Sequence, residues 1–192
     1  MTSQWSAYID ESMRQRRDGS GLYVLAAAVI ANGDLAKVRE TVQSLGRRTR
    51  RFHWREEEPA DRRKAAAVVG DLDVAHLVVV GVGLDNTRQE RGRRQCLSRL
   101  LWELDGMGVS QVWLDARRPA QNARDIEFVN VLRARREVSK TLRVNFARGV
   151  EEPLVWLPDI VAGAVGAARG DGDQQYLTPL EPMLTVYTID LN

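Results

Sequence analysis

The sequence is poor in cysteine, in lysine and in long apolar runs. Its single cysteine, Cys96, excludes a disulfide within the chain, and the surrounding helical segment RRQCLSRLLWEL predicts a small apolar filler rather than a reactive thiol. The longest apolar run, LYVLAAAVIA at 22–31, is far too short to span a membrane. The first residues have neither the basic nor the apolar region of a signal peptide. These absences predict a cytoplasmic protein with no membrane partner.

Arginine supplies nearly all of the positive charge, because only Lys37, Lys64 and Lys140 are lysines. The formal net charge is +2, so charge alone does not indicate a nucleic-acid-binding protein. Arginine binds phosphate or carboxylate with a planar fork, but a codon bias would give the same excess. The 192 residues are 44% hydrophobic, which predicts one domain, 1–192, with a real hydrophobic core.

Apolar patterning predicts strands that alternate with helices after an opening hairpin. The predicted strands are 6–10, 22–31, 74–84, 109–115, 142–149 and 182–191, and the predicted helices are 32–48, 59–72, 86–108, 120–138 and 153–170. The segment RFHWREEE at 51–58 is ambiguous and favours an edge strand running into a loop. The pattern predicts an α/β domain with a central mixed sheet that opens with an antiparallel hairpin and is flanked by helices.

Three aspartates stand where apolar elements begin or end. Asp10 follows SAYI, Asp115 follows VSQVWL, and Asp159 opens DIVAGAVGAA. Carboxylates that converge at one edge of a sheet repel one another unless a cation neutralises them, and hard oxygen ligands suit Mg²⁺ or Mn²⁺. Each residue taken singly also fits a bland interpretation, as a turn residue or a helix cap.

Charged residues surround a histidine in the stretch RRTRRFHWREEEPADRR. On the functional interpretation, His53 lies near the metal site as a proton shuttle or phosphate contact, and Glu57 is a further ligand. On the structural interpretation, the stretch is a solvated loop before a helix. The other histidine, His76, lies inside VAHLVVV and is predicted to be a core or edge histidine whose ring nitrogens have hydrogen-bond partners. Basic runs at 13–19 and 88–95 could contact phosphates or simply be solvated surface.

The acidic pair in YIDES needs a partner, because charged groups beside a buried strand are costly when unpaired. A turn, an arginine or a metal ion could supply it. Strand alternation points Glu11 to the opposite face from Asp10, which makes Glu11 the weaker metal ligand of the two unless the strand has already ended there.

Several short motifs together resemble a known family. YIDES, FHW followed by acids, a strand ending in LD, and LPDIVAGAV are similar to the bacterial family catalogued as domain of unknown function 3800. The resemblance implies an RNase H-like fold and metal-dependent nuclease chemistry on carboxylates. It implies that Asp10, Asp115 and Asp159 form the acidic site, with Glu11, His53 and Glu57 beside it. Met13 departs from the glycine usual in that family, and Leu157-Pro158 stand where an alanine is more usual.

The first functional hypothesis is a Mg²⁺- or Mn²⁺-dependent phosphodiester hydrolase. Asp10, Asp115 and Asp159 would hold the metal with Glu11 or Glu57, His53 would move protons, and the arginines Arg51, Arg55 and Arg117 would bind nucleic acid. The second hypothesis is a non-catalytic RNase H-like module that binds nucleic acid or a protein. The third hypothesis is a dimerising protein whose small-residue helix around Val165 packs against a partner chain. The alternative is that this helix simply packs tightly on the protein's own sheet.

Overall fold

Two long strands form the predicted opening hairpin. In this computed structural model, which describes residues 4–16, 19–46 and 51–191, strand β1 (Trp5–Gln15) pairs antiparallel with strand β2 (Gly21–Ala31) along their full length. The prediction that the first strand ends at Asp10 is wrong, because pairing with β2 continues beyond it. Arg17 and Asp18 of the predicted turn lie outside the described residues.

From the third strand onward, strands and helices alternate through the described chain, as the apolar patterning predicts, whereas two helices follow one another between the second and third strands. A prediction that fails is the edge strand within 51–58, where the chain instead forms a short 3₁₀ turn at Trp54–Glu56. The proline that follows begins the next helix, at a position where a missing N–H costs nothing. The further elements are α1 (Leu35–Gln43), α2 (Pro59–Gly70), β3 (Ala75–Leu84), α3 (Gln89–Gly106), β4 (Gln111–Asp115), α4 (Pro119–Ala134), β5 (Arg143–Ala147), α5 (Trp156–Asp171) and β6 (Leu184–Asp190).

The six strands form one mixed sheet in the order β5-β4-β1-β2-β3-β6. The hairpin β1–β2 and the pair β2–β3 are antiparallel, whereas β1–β4, β4–β5 and β3–β6 are parallel. The prediction of a central mixed α/β sheet that opens with a hairpin is confirmed.

Helices cover both faces of the sheet and enclose two hydrophobic cores. One core places α1, α2 and α5 on the face that carries Tyr8, and the other places α3 and α4 on the face that carries Ala7 and Ile9. Neighbouring residues of β1 therefore belong to different cores, as strand alternation requires. Within the described residues, no helix is both long enough and apolar enough to cross a membrane.

Candidate functional site

Asp10 and Asp115 are brought together by parallel pairing. In the β1–β4 ladder Ile9 lies opposite Leu114, and the ladder ends there. Asp10 and Asp115 are the next residues of the two strands, so they lie side by side where the central strands separate. Asp115 is the last residue of β4, as predicted, whereas Asp10 lies inside β1. The site therefore opens beside a continuing strand rather than at its tip.

Asp159 reaches the same place from the helical layer. It lies in the first turn of α5, which packs on β1 and β2, and its side chain is buried. Its Oδ2 atom accepts a hydrogen bond from the backbone N–H of Trp54 at 2.8 Å and lies 3.1 Å from Nδ1 of His53. One carboxylate oxygen thus holds both the histidine and the residue after it.

Trp54 explains how the segment around His53 is held against α5. The indole ring is buried over Gly163, one helical turn after Asp159, where an added Cβ would lie 2.3 Å from ring atoms Cγ and Cδ2. Arg62 stacks 5.5 Å above the ring and donates from Nε to the Trp54 carbonyl oxygen at 2.8 Å. Tyr176 meets the ring edge-on at 5.1 Å. The small residues of α5 therefore admit a tryptophan, and Val165 is buried within the chain rather than offered to a partner.

The three aspartates and His53 line one pocket of about 210 Å³. Burial raises the pKa of Asp10 well above its ordinary value, and the negative charges of Asp159, Glu11 and Asp115 raise it further. Burial also raises the pKa of Asp115, against the opposing charge of Arg51. The carboxylates thus lie close enough together in the pocket for their negative charges to repel one another. The remaining residues around the pocket are Glu11, Ser12, Met13, Trp54, Arg55 and Arg117.

Glu11 finds an arginine as its partner. Nη1 of Arg93, on α3, donates to Oε2 of Glu11 and lies 3.2 Å from the Tyr23 hydroxyl, while its Nε and Nη2 atoms both bind Asp125 of α4. These bonds draw Glu11 toward the face that carries α3 and α4, opposite Asp10, as strand alternation predicts. Glu57 is not among the described residues that line the pocket.

The three arginines predicted to bind nucleic acid have different surroundings. Arg51 lies 3.6 Å from Oδ2 of Asp115, and Arg55 is exposed and donates from Nη2 to the Met13 carbonyl oxygen at 2.7 Å. Arg117 is engaged by acids, since Nη1 binds Glu90 at 2.7 Å and Nη2 binds both oxygens of Asp125. Arg55 is the most accessible of the three for a phosphate.

The fold and this pocket can be compared with known proteins. No family model matches the sequence, and no curated protein matches it. Bst-RNase HIII, solved in complex with Mn²⁺, is structurally similar, with 17% identity over 88% of this chain and 56% of that chain and a TM-score of 0.53. RNase HII of Archaeoglobus fulgidus, solved in complex with PCNA, matches with 15% identity over 87% of this chain and 74% of that chain and a TM-score of 0.54.

This chain has an RNase H-like fold. It spans little more than half the length of Bst-RNase HIII, and the low identities establish the fold alone. Within that fold, the acidic pocket occupies the point where β1 and β4 separate beneath α5.

The donor set of this RNase H-like pocket suits a hard divalent cation. Asp10, Asp115 and Asp159 offer carboxylate oxygens within one pocket, where a cation would relieve their mutual repulsion. Among the described residues, no three acidic, histidine or cysteine side chains are placed so that they could hold one ion together. Shared coordination of one ion therefore requires at least one of the three aspartate side chains to move.

Sequence reasoning missed the ionic network behind the pocket. Arg93 and Asp125 have side chains only 2% and 4% exposed. A signal for Arg93 was present, because it shares a helical stripe with Leu97, Leu100 and Leu104, all buried. A charged residue in an apolar stripe predicts a buried ion pair. Asp125 stands in the same relation to Val129 and Leu132 on α4.

Proposed function

We propose that this chain is a divalent-metal-dependent phosphodiester hydrolase that acts on nucleic acid. The convergence of Asp10, Asp115 and Asp159 in one pocket of an RNase H-like fold is the observation that supports it. Membership in the family of domain of unknown function 3800, and a single domain over 1–192, belong to the same proposal. Mg²⁺ and Mn²⁺ are the proposed ions, since oxygen donors suit both.

The three aspartates would hold the cation and the histidine would handle protons. A bound divalent ion activates water and neutralises charge on the phosphate. His53 lines the pocket with Nδ1 engaged by Asp159, which leaves Nε2 to exchange a proton with the substrate. The hydrogen bond to Asp159 raises the pKa of His53, and the position of the ring in the pocket supports a role in proton transfer.

The decisive test replaces Asp10 with asparagine. We expect Asp10→Asn to lower Mn²⁺-dependent cleavage of single- and double-stranded DNA and RNA at least about a hundredfold, the scale of lost transition-state stabilisation. Mn²⁺ should also raise the melting temperature of the wild type but not of the variant, because only the wild type binds it well. Asp73→Asn, at an exposed position before β3, is the matched control. Unchanged cleavage in Asp10→Asn would contradict the proposal.

A non-catalytic RNase H-like binding module is the second candidate. The observation that favours it is the internal pairing of the acids, with Asp159 held by His53 and Asp115 beside Arg51. Calorimetric titration separates the two candidates. Absent Mn²⁺ binding, together with intact binding of a nucleic acid or a protein, would favour the module.

A further inference from the structure

A second pocket, of about 390 Å³, adjoins the acidic one and is basic. The two share Met13 and Arg55. Positive charge predominates in the second pocket, because three arginines and one aspartate line it. Its lining residues are Met13, Arg14, Gln15, Arg55, Arg62 and Asp171. A negative pocket and a positive pocket therefore lie next to each other along the far half of β1.

The three arginines are held in place largely by groups without formal charge. Arg55 donates to the Met13 carbonyl oxygen, and Arg62 donates to the carbonyl oxygens of Trp54 and Arg55 at 2.8 and 3.3 Å. The Nη1 atom of Arg14 lies 3.5 Å from the Oδ2 atom of Asp171. Carbonyl oxygens orient a guanidinium group but do not neutralise it, so most of this positive charge stays available to an anion.

Arg14 is the member most firmly built into the fold. Its stem packs against α5, since a Cβ added at Gly166 would lie 3.3 Å from Arg14 Cγ and one added at Gly170 would lie 3.6 Å from Arg14 Cβ. Its Nε atom is buried without a hydrogen-bond partner in the described structure. Burial lowers its pKa, and the positive charges of Arg55 and Arg62 contribute to that effect against Asp171. The three guanidinium groups are thus close enough to repel one another, and an anion would relieve that repulsion.

The spacing of the two pockets fits a nucleic-acid strand. Arg14 follows Asp10 by four residues, so both point to the same face of β1. At about 3.3 Å per residue they lie about 13 Å apart along the strand. One strand advances about 3.4 Å per nucleotide along the axis of a duplex, and an extended single strand advances further, so this distance corresponds to between about two and four nucleotides.

We propose that Arg14, assisted by Arg55 and Arg62, binds a backbone phosphate about two to four nucleotides from the phosphodiester held at the acidic pocket. The inference rests on the proposed function, and it adds that the substrate is a strand of nucleic acid rather than a small phosphoester. The arginine pocket then contributes affinity only to strands long enough to reach it.

Fluorescence anisotropy tests this by measuring the affinity for labelled single-stranded oligonucleotides of increasing length. The titrations are done in Ca²⁺ and again in EDTA, so that the strands are not cleaved. The wild type should gain affinity as the strand lengthens from two to about five nucleotides. Arg14→Gln keeps the aliphatic stem and should lose about tenfold in affinity for long strands only, since one charge-assisted hydrogen bond is removed. The salt dependence of log affinity should fall in slope by about 0.7.

Matched variants control for folding and for general charge. Arg14→Lys keeps the charge and should retain most of the gain, and thermal unfolding verifies that each variant folds. Arg135→Ala removes an exposed arginine just after α4, at the end of that helix away from the pockets, and should bind as the wild type does.

Three results would overturn the inference. They are a length-dependent gain that survives in Arg14→Gln, an equal loss in Arg135→Ala, or a dinucleotide that binds the wild type as tightly as a long strand does. Lack of cleavage with Mn²⁺ would overturn the hydrolase instead, and the length-dependent gain in binding would still support the arginine pocket.

Discussion

At the scale of single residues, His76 is the side chain most at odds with its surroundings. It lies in β3 opposite Ala28, it is 1% exposed, and neither ring nitrogen has a hydrogen-bond partner among the described residues. Burial lowers its pKa from 6.5 to about 4. The neutral ring is therefore the folded form. The prediction that His76 lies in the core is confirmed, but the prediction that its ring nitrogens have hydrogen-bond partners is wrong within the described residues.

Replacing His76 with leucine should remove a specific acid sensitivity. As pH falls below 6.5 the unfolded chain binds a proton before the folded one does, so stability is lost between pH 6.5 and about 4. Across that window the wild type should lose about 3 kcal/mol relative to His76→Leu. Urea unfolding at pH values through the window measures the difference.

The other histidine provides the control for that measurement. Hydrogen bonding to Asp159 raises the pKa of His53, so its contribution to stability is present below the unfolded pKa and is lost as pH rises through the folded one. His53→Gln should therefore leave the acid sensitivity in place. Equal acid sensitivity in His76→Leu and the wild type would contradict the assignment.

Residue-level prediction from the sequence succeeded where a side chain follows an apolar run. Asp10, Asp115 and Asp159 were all singled out in that way, and they line one pocket, although their role as ligands stays a prediction. His53 was predicted to lie near those acids, as it does. The specific pairs, His53 with Asp159 and Arg51 with Asp115, could not be predicted, because the segment that carries them has no regular periodicity. Only the assembled fold brings that segment to α5.

At the scale of elements, the small residues of α5 are explained by the tryptophan ring that packs on the helix. Its small residues form a groove for Trp54, and the closest approach is at Gly163. The same residue type elsewhere has a different role, since nothing lies within 4 Å of a Cβ added at Gly106 in the last turn of α3. The two glycines therefore make a matched pair.

Gly163→Ala should be destabilising by about 1–3 kcal/mol, because the added methyl group forces the Trp54 ring to move. Cleavage should fall by more than the loss of folded protein explains, since Trp54 and His53 are both held by Asp159. Gly106→Ala should be neutral or stabilising by up to about 1 kcal/mol. Urea unfolding and cleavage assays on both variants test this, and equal stabilities would contradict the packing argument.

Element boundaries were predictable wherever apolar periodicity or a proline marked them. Pro59 begins α2 as expected, and β4 ends at Asp115 as expected. β1 was predicted too short because Glu11 and Arg14 resemble turn residues in isolation. In the fold, one is paired by Arg93 and the other packs on α5, so a strand carries both.

At the scale of the whole molecule, one buried arginine joins the sheet to both helices of its second face. Arg93 of α3 binds Glu11 of β1, Tyr23 of β2 and Asp125 of α4. Arg117 closes the network by binding the same Asp125 from the chain just after β4. Charges so deeply buried stabilise a structure only while every partner is present.

Arg93→Met should therefore destabilise the protein by about 3–5 kcal/mol, since it leaves carboxylates buried without their partner. The double variant with Asp125→Leu should recover part of that loss, because an apolar pair replaces the ionic one. Arg99→Met on the same helix removes a partly exposed pair with Glu103. It also removes the contacts of Arg99 with the rings of Trp102 and Tyr187, so it should cost about 1–2 kcal/mol. Chemical unfolding compares the three, and similar values for Arg93→Met and Arg99→Met would refute the network's importance.

The class of the fold was predictable, but its strand order was not. Alternating strands and helices after a hairpin predict a mixed sheet, which the structure confirms. Nothing in the local pattern of β6 says that it lies beside β3 and parallel to it. That placement depends on packing across the whole sheet.

The far half of β1 has a consequence for self-association. The β4 ladder stops at Ile9 while β1 continues to Gln15, so one edge of this stretch has no neighbouring strand within the described sheet. Such an edge is a template on which a second chain can add a strand. Arg55 binds the Met13 carbonyl oxygen on this stretch, and charged side chains are a common defence of open edges. The Arg55 guanidinium, which lines the pocket proposed for a phosphate, thus also occupies part of the backbone on which a second hairpin could otherwise pair.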